Sequence, residues 1–191
     1  GNFTETINGS IEFRDVVFRY RDGLPDVLKK INLKIENGET LAIIGSTGSG
    51  KTSLVNLIPR LYDTTEGEVL VGGIPVRSIP LNKLREIMGI VPQDTFLFSD
   101  TITENILYGC KQRNQDKARF AASVSKLTKD IEQFPKGFDT ILGERGITLS
   151  GGQKQRTCIA RAIAVDPKIL ILDDSFSAVD TFTEEEILKE L

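Results

Sequence analysis

Apolar residues near the start of the chain recur in twos. Ile11 and Phe13 share one phase and Val16, Phe18 and Tyr20 the other, so a strand is expected that changes face near Asp15. Leu28 and the alternation of Ile31, Leu33 and Ile35 predict a second strand, ended by Asn37-Gly38. The run Thr40–Ile44 is apolar after its first residue, the pattern of a central parallel strand buried on both faces. Leu54, Leu57, Ile58 and Leu61 then fall at helical spacing, and Pro59 is expected to end or kink that helix. Glu68–Val71 and Ile74–Val76 flank Gly72-Gly73, the signature of a two-residue hairpin turn.

Beyond the hairpin, Leu81–Ile87 reads as a short helix and Gly89–Val91 as a strand. Residues 101–134 are mostly helical in pattern, with Ala118–Leu127 the clearest stretch. Ser150 stands where a helix cap is wanted, before a helix that runs to about Val165 and stops at Asp166-Pro167. Ile169–Leu172 is a second buried strand, tipped by Asp173 and Asp174. Strands and helices in this order, with acidic residues at the carboxyl end of a strand, predict an α/β architecture. There is no internal repeat and no low-complexity stretch.

Composition narrows the function classes. The length of 191 residues suits one sizeable domain with lobes, and 39% hydrophobic residues suffice for a packed core. With 24 basic and 27 acidic side chains the net charge is −3, so no nucleic-acid partner is expected. No apolar run approaches the roughly 18–20 residues of a membrane helix, and the chain by itself is expected to be soluble. Residues 1–9 are polar and aperiodic and read as a linker; the start at Gly1 rather than methionine points to a fragment. Cys110 and Cys158 are too few for a disulfide framework or a zinc site and are expected as reduced thiols. The chain holds no histidine, so an imidazole mechanism is unavailable within it.

One motif carries strong chemistry. Gly45, Ser46, Thr47, Gly48, Ser49, Gly50, Lys51 and Thr52 match the phosphate-loop pattern in full, between an expected strand and an expected helix. The glycines let the backbone turn so that successive N–H groups face phosphate oxygens, and the following helix adds its positive end. Lys51 is placed to meet the β and γ phosphates, and the Thr52 hydroxyl to coordinate Mg²⁺. Asp173, at the tip of the Lys-Ile-Leu-Ile-Leu strand, is the natural acidic ligand to the same metal.

Leu149, Ser150, Gly151, Gly152 and Gln153 lie between the phosphate loop and Asp173, the order found in ABC ATPases. From about Ile11 onward the chain closely resembles the nucleotide-binding domain of an ABC exporter. That resemblance implies a phosphate-loop core with a mainly parallel sheet over 10–92 and 155–191, including an antiparallel β subdomain. It implies a helical subdomain over 93–154, with the C-terminal end of the domain lying past Leu191. ATP and Mg²⁺ are the implied ligands. Tyr20 matches the aromatic that stacks on adenine, Ser53 closes the phosphate-binding stretch, and Gln93 matches the loop glutamine that contacts Mg²⁺ and the attacking water. Gln93 also marks the region that touches the transmembrane domain.

The resemblance also implies a second ABC ATP-binding domain, paired head to tail as a homodimer or heterodimer. Ser150, Gly151, Gly152 and Gln153 then serve the partner's ATP, and Ser177-Ala-Val-Asp180 forms the loop that crosses to it, with Asp180 at its end. Gly143-Glu-Arg-Gly146 and Thr101-Ile-Thr-Glu-Asn-Ile106 resemble exporter segments and disfavour a non-transport ABC ATPase. The implied place is the cytoplasmic side of a membrane, as part of an integral transporter. One position departs from the pattern: the usual catalytic glutamate after the strand-tip acid is Asp174, one methylene shorter. Two readings follow, an ATP-hydrolysing exporter motor, or a degenerate module that binds ATP, hydrolyses it slowly and lends its signature to a partner. The switch histidine of the family would fall beyond Leu191.

Overall fold

The face change expected near Asp15 is a β-bulge. In the computed structural model, which describes residues 7–143 and 148–191, strand β1 (Ile11–Phe18) shifts register between Phe13 and Val16, with Asp15 at φ 46°. The extra residue lets Ile11 and Phe13, then Val16, Val17 and Phe18, all be buried. β1 pairs antiparallel with β2 (Leu28–Ile35) on one edge and β3 (Glu66–Val71) on the other. β3 turns through Gly72 (φ 61°) and Gly73 (φ 77°) into the short β4 (Ile74–Pro75), the hairpin that the Gly-Gly pair predicts. The resulting sheet has the order β2-β1-β3-β4.

Helix α1 (Lys51–Leu57) buries Leu54 and Leu57 and is capped at Ile58, immediately before Pro59. α2 (Leu81–Glu86) completes the first of two compact units, Gly1–Glu86 and Ile87–Leu191. Of the segment read as a linker, residues 1–6 lie outside the described residues. Ile7 is buried, and the Gly9 N–H donates to Asn37 Oδ1 at 2.8 Å.

The run Thr40–Ile44 corrects the sequence reading. It forms no strand, and Leu41, Ile43 and Ile44 are exposed, Ile44 by 94%. A continuous apolar run is buried on both faces only where it lies inside a sheet with other elements packed over each face. Among the described residues the two sheets are β2-β1-β3-β4 and β5-β6, and neither includes it.

The second unit holds the parallel pairing. β5 (Met88–Val91) pairs with β6 (Ile169–Leu172), Met88 beside Ile169 through Val91 beside Leu172. Around them are α3 (Ile102–Ile106), α4 (Gln115–Val124), α5 (Thr128–Glu132), α6 (Gly151–Ala164) and α7 (Thr181–Glu190). α6 turns a row of small residues inward, with Thr157, Ala160, Ala162 and Ala164 nearly inaccessible. A Cβ at Gly89 would run into the Ala162 carbonyl, so the glycine is what lets the helix lie close on β5. α6 ends at Ala164, and Asp166 takes a left-handed φ of 55° ahead of Pro167, as the Asp-Pro stop predicts. Ile102, Ile106, Leu127, Ile131 and Leu149 form the helical core. Parallel pairing is thus confined to β5 and β6 among the described residues, and the larger sheet is antiparallel.

Candidate functional site

The phosphate loop is built by its glycines. Gly48 (φ 79°) and Gly50 (φ 96°) hold left-handed conformations that residues with a Cβ rarely adopt. A Cβ on Gly45 would lie 2.8 Å from Ser49 Oγ and would make that hydroxyl turn aside. The Lys51 ammonium donates to the carbonyls of Gly45 at 2.7 Å and Ser46 at 3.0 Å, which carries it back over the loop that precedes it. Ser46 and Thr47 lie in that exposed loop, and Thr52 is exposed on the first turn of α1.

Tyr20 and Ser53 meet. Their hydroxyls share a hydrogen bond of 2.7 Å, with Ser53 buried on α1 and Tyr20 49% exposed. The Tyr20 ring packs edge to face against Phe18 at 4.9 Å and against Tyr62 at 5.3 Å. The aromatic expected to meet a base is thereby fixed to the helix that follows the phosphate loop.

The remaining expected residues belong to the second unit. Gln93 is exposed in the loop after β5. Asp173 and Asp174 stand at the carboxyl end of β6, where the Asp173 N–H donates to the Val91 carbonyl at 3.0 Å. Asp174 is exposed and sits at φ 50°, a conformation that aspartate tolerates better than most residues. Asp180 caps α7, its Oδ1 accepting from the Thr183 N–H at 3.0 Å. That bond holds the Asp180 carboxyl below the usual range.

Ser150 caps α6 in a reciprocal box: its hydroxyl oxygen accepts from the Gln153 N–H at 3.2 Å, and Gln153 Oε1 accepts from the Ser150 N–H at 3.0 Å. Gln153 Nε2 donates to Asp130 Oδ1 at 2.8 Å, while Arg156 bonds Asp130 Oδ2 at 2.7 Å and the Lys126 carbonyl. Gly151 and Gly152 begin α6 beside Ala178. Of the segment Gly143–Gly146, residues 144–146 lie outside the described residues.

Sequence reasoning missed three groups. Asp130 and Arg156 anchor the helix start, and Gln155 is buried against the loop at Ser177. Asn105 and Arg161 hold the segment Phe96–Thr101 that follows the Gln93 loop. Burial lowers the Arg161 pKa, and its guanidinium lies over the rings of Phe98 and Tyr108. Only Thr101-Ile-Thr-Glu104, which spells a helix cap and in which Thr101 accepts from the Glu104 N–H, signalled order here.

The model of the family described as ABC transporter matches residues 28–177. The chain belongs to the ABC transporter family. It is 49% identical over 182 residues to the ATP-dependent lipid A-core flippase of Desulfotalea psychrophila, covering 95% of this chain and 32% of that protein. It is 45% identical over 183 residues to the probable multidrug resistance ABC transporter ATP-binding/permease protein YheI of Bacillus subtilis, covering 96% and 31%. The structure of a bacterial Atm1-family ABC exporter with ATP bound superposes with a TM-score of 0.90 at 39% identity, over 96% of this chain and 32% of that one. The chain thus spans about a third of the length of these ABC relatives. Its fold is that of an ABC ATPase, of mixed α and β content with an antiparallel sheet. Among the described residues, no helix is long and apolar enough to cross a membrane.

Proposed function

We propose that this chain is the ATP-binding and ATP-hydrolysing domain of an ABC exporter, acting on the cytoplasmic side of a membrane. The carrying observation is the phosphate loop, where left-handed Gly48 and Gly50 precede a helix that starts at the loop's own lysine. Such a loop suits a polyphosphate, because a glycine-rich backbone beside an ammonium can offer both to phosphate oxygens with no bulky side chain between them. Gly45–Ser53 hold the phosphates, and Tyr20, fixed by its bond to Ser53, stacks on the adenine. Thr52, Gln93 and Asp173 are hard oxygen donors of the kind Mg²⁺ takes. When bound, the metal offsets charge on the β and γ phosphates.

Ser150, Gly151, Gly152 and Gln153, with Asp180, serve the ATP of a second ABC domain paired head to tail, in a homodimer or a heterodimer. ATP gains contacts from both domains only when they close, so it favours closure, and hydrolysis removes that preference. The organisation we assign is a linker over 1–9, a nucleotide core with its β subdomain over 10–92 and 155–191, and a helical subdomain over 93–154. The Gln93 region meets the transmembrane domain. Gln93 and Asp174 position the attacking water.

Asp174 supports a second reading, in which this site binds ATP and turns it over slowly. Its carboxylate is a methylene short of a glutamate's reach, and its φ of 50° suits aspartate better than glutamate. Steady-state hydrolysis by the purified protein decides between them. On the motor reading, Asp174→Asn lowers turnover by about 100-fold or more and leaves ATP affinity unchanged. If the wild type is already as slow as that variant and Asp174→Glu speeds it about tenfold, the slow-site reading replaces it.

A further inference from the structure

The glycines of the signature are explained within this chain before any partner arrives. A Cβ on Gly152 would lie 2.7 Å from the Ala178 carbonyl oxygen, a backbone atom that cannot swing aside as a side chain does. One on Gly151 would meet the Ala178 Cβ at 3.2 Å. The start of α6 and the segment Ser177–Asp180 therefore touch through backbone. A single side chain bonds them at the same place. Gln155, 5% exposed, donates from Nε2 to Ser177 Oγ at 2.8 Å and accepts at Oε1 from the Ala178 N–H at 2.8 Å.

A glutamine buried on a helix satisfies both ends of its amide only if the facing loop holds one conformation. The loop in turn places Asp180, the cap of α7, three residues after Ser177. At the other end, Gln155 is rigid because α6 is: the Ser150–Gln153 box and the Asp130–Arg156 pair fix the helix start. Moving the signature by about an ångström must then either carry Ala178 with it or break both amide bonds.

We propose that Gln155 is a positioning residue that makes the signature helix and the Ser177–Asp180 loop one rigid body. Contact with nucleotide at Ser150 is thereby transmitted to the loop in the same chain. This rests on the reading of Ser150–Gln153 as a nucleotide contact, but the bond itself does not.

Backbone hydrogen exchange on the purified protein tests it, with and without Mg·ATP. Gln155→Met keeps the volume and removes both bonds; Gln155→Glu keeps an acceptor for the Ala178 N–H and a partner for the Ser177 hydroxyl. Exchange at Ala178 is expected to rise by about tenfold or more in the methionine variant and to return toward wild type in the glutamate variant, with α6 beyond Thr157 unaffected. Mg·ATP is expected to slow exchange at both the α6 start and residues 177–180 in the wild type, and at the α6 start alone in Gln155→Met. Unchanged protection of Ala178 in the methionine variant, with or without nucleotide, overturns the proposal. So does loosening of all of α6, which makes Gln155 merely a packing residue. If Lys51→Ala leaves ATP binding intact, the nucleotide reading fails by itself, and exchange at Ala178 still decides the coupling.

Discussion

Replacing Lys51 by alanine is expected to raise the dissociation constant for ATP by on the order of 100-fold, equivalent to about 3 kcal/mol, and to abolish hydrolysis. The Lys51 ammonium reaches the Gly45 and Ser46 carbonyls at 2.7 and 3.0 Å, so it already lies over the loop that frames the phosphates. Hydrogen bonds from a charged donor to phosphate are about twice as strong as neutral ones, and alanine at this position supplies none. Folding does not depend on it to the same degree, because those carbonyls lie in an exposed loop and water replaces the ammonium. Calorimetric titration with Mg·ATP, paired with a thermal melt, checks both halves. An affinity within about threefold of wild type removes the phosphate-loop assignment, and with it the proposed function.

The largest effect on stability is expected from Asn105→Leu. Asn105 is fully buried, and its amide makes a closed set of bonds: Oδ1 accepts from the Phe98 N–H at 2.8 Å and from Arg161 at 3.0 Å. Nδ2 donates to the carbonyls of Phe98 at 2.9 Å and Thr101 at 3.0 Å. Leucine has similar volume but takes the acceptor from the Phe98 N–H and one acceptor from the half-buried Arg161 guanidinium, while the Phe98 and Thr101 carbonyls keep the N–H groups of Asp100 and Asn105. An unpaired donor costs about 1–3 kcal/mol and the weakened bonds around it add to that, so a loss of about 2–4 kcal/mol is expected. For a chain of this length that lowers the melting temperature by about 10 °C. A melt shifted by less than about 2 °C means that Arg161, through its bonds to the Phe96 and Asn105 carbonyls, holds the segment alone.

What the sequence disclosed, and what it hid, divides along a physical line. Local chemistry was readable: Gly72-Gly73 made the hairpin, Ser150 capped α6, and Asp166-Pro167 closed it. Each is decided by residues within four positions of one another. Leu41–Ile44 was not, because whether an apolar run is buried depends on the sheet it joins and on what packs over its faces, and these are remote in sequence. Gln155 and Asn105 failed to announce themselves for the same reason. A polar side chain on a helix reads as solvated, and only its partners 22 residues on, at Ser177, or 56 on, at Arg161, reveal it as buried. In the candidate site, motif residues were legible and the side chains that hold them still were not.

The capping box at Ser150 also biases the polarity of that hydroxyl. Its oxygen is committed as acceptor to the Gln153 N–H, and the amide oxygen of Gln153 is committed to the Ser150 N–H. The bond from the Gln153 N–H uses one of the serine oxygen's two lone pairs and leaves the proton free to be donated. A group approaching the start of α6 therefore meets an O–H whose own oxygen is already drawn toward an amide, which makes it a better donor. The residue that terminates the helix also gives its end a preference for electron-rich visitors, and the two duties use opposite sides of a single oxygen atom.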